Sequence, residues 1–164
     1  MLYFIKEKDY PVSSNRNSLT KSIRTINIDC HLRGERMVID CFSEALDSPY
    51  KNDNWDGFHE AITDLYWLDC NEIVILHHNL PSLSDKDILI YLFILDYASE
   101  FWDRFDELSK KAIESYTSQG TPFSKDCWVY HKLSMDIYFR EEDRAIVKHN
   151  IELAHKKWGY PYRF

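Results

Sequence analysis

Glycine and proline are scarce in this 164-residue sequence, with only 4 and 5 of them, so it is no linker-rich or low-complexity chain and most of it is expected to be ordered. Long hydrophobic runs are missing as well. The longest, "ILIYLFIL" from Ile88 to Leu95, stops at Asp96, far short of the roughly 20 residues that a membrane span needs. No apolar leader is expected, because Lys6, Glu7, Lys8 and Asp9 interrupt "MLYFI" almost at once. Cys30, Cys41, Cys70 and Cys127 show no CxxC spacing and read as reduced, mostly buried thiols of a soluble, cytoplasmic protein. There is no P-loop, GxSxG or GxGxxG, so an enzymatic reading has no motif behind it.

What the sequence does have is acid in one place. Residues 44–107 hold 3 Lys and Arg against 15 Asp and Glu, whereas the flanks are slightly basic, and the whole chain has a net charge of −7. A field of that sign repels nucleic acid and attracts a basic partner. The bland reading is a solubilising surface. Tyr and Trp, 11 and 5 in number, suit a packed core and suit equally a surface that binds.

Length and composition fit one domain. The turn-rich tract "PVSSNRNS" sets a short N-terminal extension, residues 1–21, apart from a domain over 22–164. "SIRTINIDC" alternates as a strand does, with Ile26, Ile28 and Cys30 on one face. A turn at Arg33-Gly34 leads into a helix over "ERMVIDCFSEAL". In "PYKNDNWDGFHEAITDLYWL", Trp55, Phe58, Ile62 and Leu65 form one apolar stripe of a second helix, with Asp53 or Asn54 as its cap. The unbroken Ile73 to Leu76 run predicts a strand covered on both faces. Ser84 caps a helix expected over 85–108, "CWVYHKLSMDIYF" supplies a late strand, and "REEDRAIVKHNIELAHKKWG" a last helix stopped by Gly159 and Pro161. This order predicts an α/β fold: a small parallel three-stranded sheet packed with helices, plus a C-terminal strand and helix.

The second helix carries a local conflict. Its polar face presents Asp56, Glu60, Thr63 and Trp67, and like charges at i, i+4 cost an isolated helix about 0.2–0.5 kcal/mol. Gly57 costs roughly 0.5–1 kcal/mol relative to alanine. Either this is a solvated acidic first turn in which Gly57 admits a neighbouring element, or it is a binding surface.

The same stretch resembles the barstar family of ribonuclease inhibitors. The resemblance rests on Tyr50 before a short loop, the centre "NWD" (Asn54, Trp55, Asp56), a second acid at Glu60, and "DLYWL" at the helix end. "IDCHLRGERMVIDCFSEAL" and "NEIVILHHNL" look like the family's first strand and helix and its second strand, so the likeness covers about residues 22–106 and leaves about 110–164 as an extension. It implies that the loop and second helix plug the active site of a basic ribonuclease or nuclease toxin domain. Tyr50 would make a loop contact, Asn54 would cap the helix, and Asp56 and Glu60 would accept hydrogen bonds from the Arg and Lys that otherwise hold substrate phosphate. Lys51, Asn52, Asp53, Gly57, His59 and Thr63 complete the implied surface. The pattern departs from the family where Glu60 replaces the more usual aspartate, where His59 stands at a common tryptophan position, and where Lys51, Asn52 and Asp53 fill the loop. No catalytic residue, metal, cofactor, membrane or direct nucleic-acid contact is expected.

Two other readings compete. A metal-dependent hydrolase would use Asp136, Glu141, Glu142 or His149, yet acids in "REEDR" also serve as dipole compensation at a helix start. His77 and His78 are adjacent in a strand and should point to opposite sides, and His149 and His155, six apart, do not share a helical face. A non-inhibitory adaptor on the same scaffold is the other alternative.

Overall fold

A computed structural model describes residues 1–11, 23–120 and 133–159. Four strands, β1 (Leu2–Ile5), β2 (Ile23–Ile28), β3 (Glu72–His77) and β4 (Ser134–Arg140), form one parallel sheet in the order β1-β4-β3-β2. The helices are α1 (Gly34–Ala45), α2 (Trp55–Asp64), α3 (Asp85–Asp103), α4 (Phe105–Ser118) and α5 (Arg144–Trp158). The register aligns Ile26, Ile75, Ile137 and Leu2 in one row across all four strands.

The sheet therefore has four strands where the sequence pattern led to three. The additional one comes from the apolar N-terminal piece: Leu2 to Ile5 pair with Ile137 to Arg140. Four residues carry too little periodicity to announce a strand, and their partner lies more than 130 residues away, so this pairing is a tertiary fact.

One face of the sheet meets the helices. Val38 and Phe42 of α1, Phe58 and Ile62 of α2, Tyr91 and Leu95 of α3 and Val147 of α5 join Ile26, Ile75, Ile137 and Phe139 in one apolar cluster. Full burial of each such side chain contributes about 1.5–3 kcal/mol. The other face carries a smaller cluster of Tyr10, Val74 and Leu76. Residues Ile73 to Leu76 are thus buried on both faces, as their unbroken apolar run demands.

The expected helix over 85–108 is two helices. Backbone geometry breaks at Arg104 (φ −95°, ψ 7°), and Trp102 and Phe105 on either side stack at 5.1 Å inside the core. Helix α4 then runs on to Ser118, where the pattern assigned nothing. The acids of "REEDR" are not in the first turn of α5 but in a short 3-10 turn before it, where arginines pair with them: Arg140 with Asp143 at 2.9 Å and Arg144 with Glu141 at 2.7 Å. Trp158, in the last turn of α5, is 42% exposed. Of the three described cysteines, Cys70 is buried, Cys41 is half-buried and Cys30 is exposed, so the expectation of mostly buried thiols holds for one of them. Cys127, the first half of the expected late strand, and Pro161 lie outside the described residues.

Candidate functional site

The loop between α1 and α2, together with α2 itself, carries all ten residues singled out above. The cap is Asn54, whose side chain accepts from the Gly57 N–H at 2.9 Å and whose own amide donates to Asp53 at 3.1 Å. The N–H of Trp55 is taken by Glu35 of α1 at 2.8 Å. On the inner side, the Trp55 indole donates to Asp87 at 3.1 Å, and the Ser84 hydroxyl donates to the same carboxylate at 2.6 Å. These two bonds, Ser84 first, hold the Asp87 carboxyl below its ordinary range. The first turn of α2 is thus pinned to both neighbouring helices before any partner arrives.

Gly57 has a specific reason to lack a side chain. A Cβ there would stand 3.1 Å from Oδ1 of Asn52, so the absence of a methyl group lets the loop lie against the helix. This is the close approach that the glycine suggested, and the neighbour is the loop itself.

Leu65 ends α2 in the left-handed conformation (φ +43°), an arrangement that costs a non-glycine residue about 1–2 kcal/mol. Its side chain is fully buried, which offsets that cost. The reversal takes Trp67 off the helix face on which simple periodicity set it beside Thr63. Its indole donates instead to the Leu46 carbonyl at 3.0 Å, and Tyr50 packs edge-on against it at 5.4 Å. Tyr50 and Tyr66 share a hydroxyl hydrogen bond of 3.0 Å, and that bond raises the Tyr50 phenol above its ordinary pKa.

Seven of the ten residues divide between two depressions. Tyr50, Lys51, Asn52, Gly57 and Glu60 line a hollow of about 450 Å³ with Asp64. Asp56 and His59 open onto a second groove of about 350 Å³, shared with α3 and the end of α5. Asp53 and Asn54 are exposed and line neither of the two, and Thr63 is occupied by its own helix, donating to the carbonyls of His59 and Glu60 at 2.9 and 3.1 Å.

The two central carboxylates differ from most other acids of the protein. Asp56 and Glu60 are exposed and make no hydrogen bond or ion pair through their side chains among the described residues. Between them, His59 is half-buried edge-on to Tyr97 at 4.5 Å, and its Nε2 is buried without a hydrogen-bond partner among the described residues. Burial lowers its pKa, with Asp56 and Glu60 pulling the other way, so the imidazole favours its neutral form.

The residues of the hydrolase reading do not converge. Glu141 and Glu142 face Arg144 and Arg140, Asp136 lies 3.6 Å from the terminal ammonium, and His149 is exposed on α5. Among the described residues no group of three or more His, Cys, Asp and Glu side chains could hold a metal ion. No described helix is long and apolar enough to cross a membrane.

Asp64 and Tyr66 were missed by the sequence reading, although "DLYWL" placed an acid and two aromatics directly after the helix. Lys86, Lys157 and Trp158 were missed because only the packing of α3 and α5 brings them beside α2.

A family model described as Barstar (barnase inhibitor) matches residues 23–118. No curated protein and no solved structure matches the chain.

Proposed function

Because the chain belongs to the barstar family, we propose that it binds and blocks the active site of a basic ribonuclease toxin in the cytoplasm, as an immunity-type inhibitor. The observation that carries this reading is the pair of exposed carboxylates, Asp56 and Glu60, which have no side-chain partner among the described residues, on a helix start capped by Asn54 and tied to Glu35. A free carboxylate offers an arginine fork the same planar, anionic pair of acceptors that a phosphate does. Holding it on a capped and packed helix reduces the ordering cost of binding. The surrounding acid, 15 Asp and Glu over residues 44–107, would speed encounter with a cationic cleft. The hollow beside Glu60, with Tyr50 at its rim, would receive a neighbouring part of the nuclease surface. Unpaired Cys30, Cys41 and Cys70 suit a reducing compartment.

The test is a ribonuclease assay with purified chain titrated against barnase and against any nuclease toxin domain encoded beside its gene. Wild-type chain is expected to suppress RNA cleavage at equimolar ratio, and the double variant Asp56→Lys/Glu60→Lys to lose that suppression. Its fold should survive, since both side chains are exposed and only Asp56 lies in the first turn, where a charge changes stability by about 0.3–1 kcal/mol. Full suppression by the folded double variant would sink the reading.

A further inference from the structure

We propose that α5 extends the nuclease-facing surface, and that the groove between α2, α3 and the end of α5 receives an apolar side chain of the nuclease flanked by an acidic residue. The inference rests on the inhibitor reading above. Helix α5 lies outside residues 23–118, yet its last turn reaches the first turn of α2: Lys157 and Trp158 line the same groove as Asp56 and His59. The surface bearing Asp56 therefore continues without interruption onto α5.

The position of α5 is fixed by packing rather than by the partner. His155 Nε2 stands 2.9 Å from Asp96 of α3, and Phe93 of α3 contacts both the His155 ring at 5.9 Å and the Trp158 ring at 5.4 Å. Trp158 nevertheless keeps 42% of its surface exposed. A large, pre-positioned and half-open indole beside Ile90 and Phe93 has the character of an interface anchor, because covering it removes apolar area at little entropic cost.

Charge identifies what covers it. Residues 44–107 contain only Lys51, Lys86 and Arg104 as bases, and Lys86 is one of the groove's residues. Lys157 adds a second cation, whose Nζ lies 5.0 Å over the Trp158 ring. Neither lysine makes an ion pair among the described residues, in contrast to Arg104, which is bound to Glu100 and Glu107. A surface built only to attract cations would not place beside its apolar groove two lysine ammonium groups that have no ion pair among the described residues. Their chemistry calls for an acidic residue next to the inserted apolar side chain.

The experiment measures affinity for whichever ribonuclease the wild-type chain inhibits in the assay above, barnase first, using Trp158→Ala, Lys86→Glu/Lys157→Glu and, as reference, Asp56→Lys/Glu60→Lys. Circular dichroism verifies that each variant is folded. Trp158→Ala and the double lysine variant are each expected to weaken binding at least about tenfold, the range of a genuine anchor. The lysine variant is decisive in sign: if the partner is basic throughout, added acid tightens binding, and unchanged or tighter binding overturns the inference while the inhibitor reading stands on the Asp56/Glu60 variant. Unchanged binding by Trp158→Ala overturns it too. Tighter binding by a chain ending at Gly159, or a dimer that Trp158→Ala dissolves, would give the groove to the chain's own tail or to a second copy and likewise overturn it. If wild-type chain binds no ribonuclease, both readings fall together.

Discussion

His77 should make the fold sensitive to mild acid. The residue closes β3 beneath α3 and is entirely buried. Its Nδ1 lies 3.2 Å from the Tyr138 carbonyl and its Nε2 lies 2.7 Å from the Tyr91 hydroxyl. A carbonyl can only accept, so Nδ1 carries the proton and Nε2 accepts from Tyr91, a neutral tautomer with both nitrogens satisfied. The ring also stacks on Phe139 at 4.1 Å. A second proton would put a charge in this apolar setting, and burial pushes the pKa from 6.5 down to about 3. The unfolded chain takes up that proton near the ordinary histidine value, so between 6.5 and 3 it binds more protons than the folded state, and stability falls as pH falls through that window. At about pH 5 the loss is roughly 2 kcal/mol, taking 1.36 kcal/mol per unit over about one and a half units. That is a sizeable part of the ~5–15 kcal/mol typical of a domain.

The assay is urea denaturation followed by tryptophan fluorescence at about pH 7.5 and pH 5, for wild type and His77→Gln. Glutamine does not titrate, so the variant's own pH dependence contains every other histidine and carboxylate. Wild type should lose about 2 kcal/mol more than the variant over this interval, even though the variant, lacking the stacked ring, starts out less stable. Equal losses would refute a buried neutral imidazole at this position.

Two further outcomes follow from the geometry of α2. Asn54→Ala removes the cap on Gly57 N–H and should cost about 1 kcal/mol in urea denaturation; if stability is unchanged, the capping bond is not contributing. Gly57→Ala sets a helix-propensity gain of up to about 1 kcal/mol against a Cβ only 3.1 Å from Asn52 Oδ1, so stability should stay within about 1 kcal/mol of wild type while affinity for the nuclease falls because the loop is displaced. A variant that is stabilised and binds as before would mean that the loop yields freely.

Much of the local structure around the candidate site was legible one residue at a time. The stripe of Trp55, Phe58, Ile62 and Leu65 is buried, and the Asn54 and Ser84 caps are made by the side chains that the sequence offered for them. Capping and amphipathic burial act over three or four residues, so their signals are local. Where non-local packing took over, the pattern failed. The four residues of β1 became a strand only by meeting β4, and the helix over 85–108 broke at Arg104 because Trp102 and Phe105 both turned into the core.

The division of the acidic face belongs to the same category. A four-residue spacing sets Asp56 and Glu60 side by side on a helical wheel, and the sequence by itself determined that both are exposed acids at a capped helix start. It did not determine what stands beside each of them. The loop folded over Gly57 gives Glu60 its hollow, the left-handed turn at Leu65 brings Tyr66 and Trp67 round to Tyr50, and α5, docked on α3 through His155 and Asp96, carries Lys157 and Trp158 to Asp56. Periodicity encodes which face of an element is buried, but only the assembled fold decides which distant side chains share a surface, because that choice is made by contacts between segments far apart in the chain.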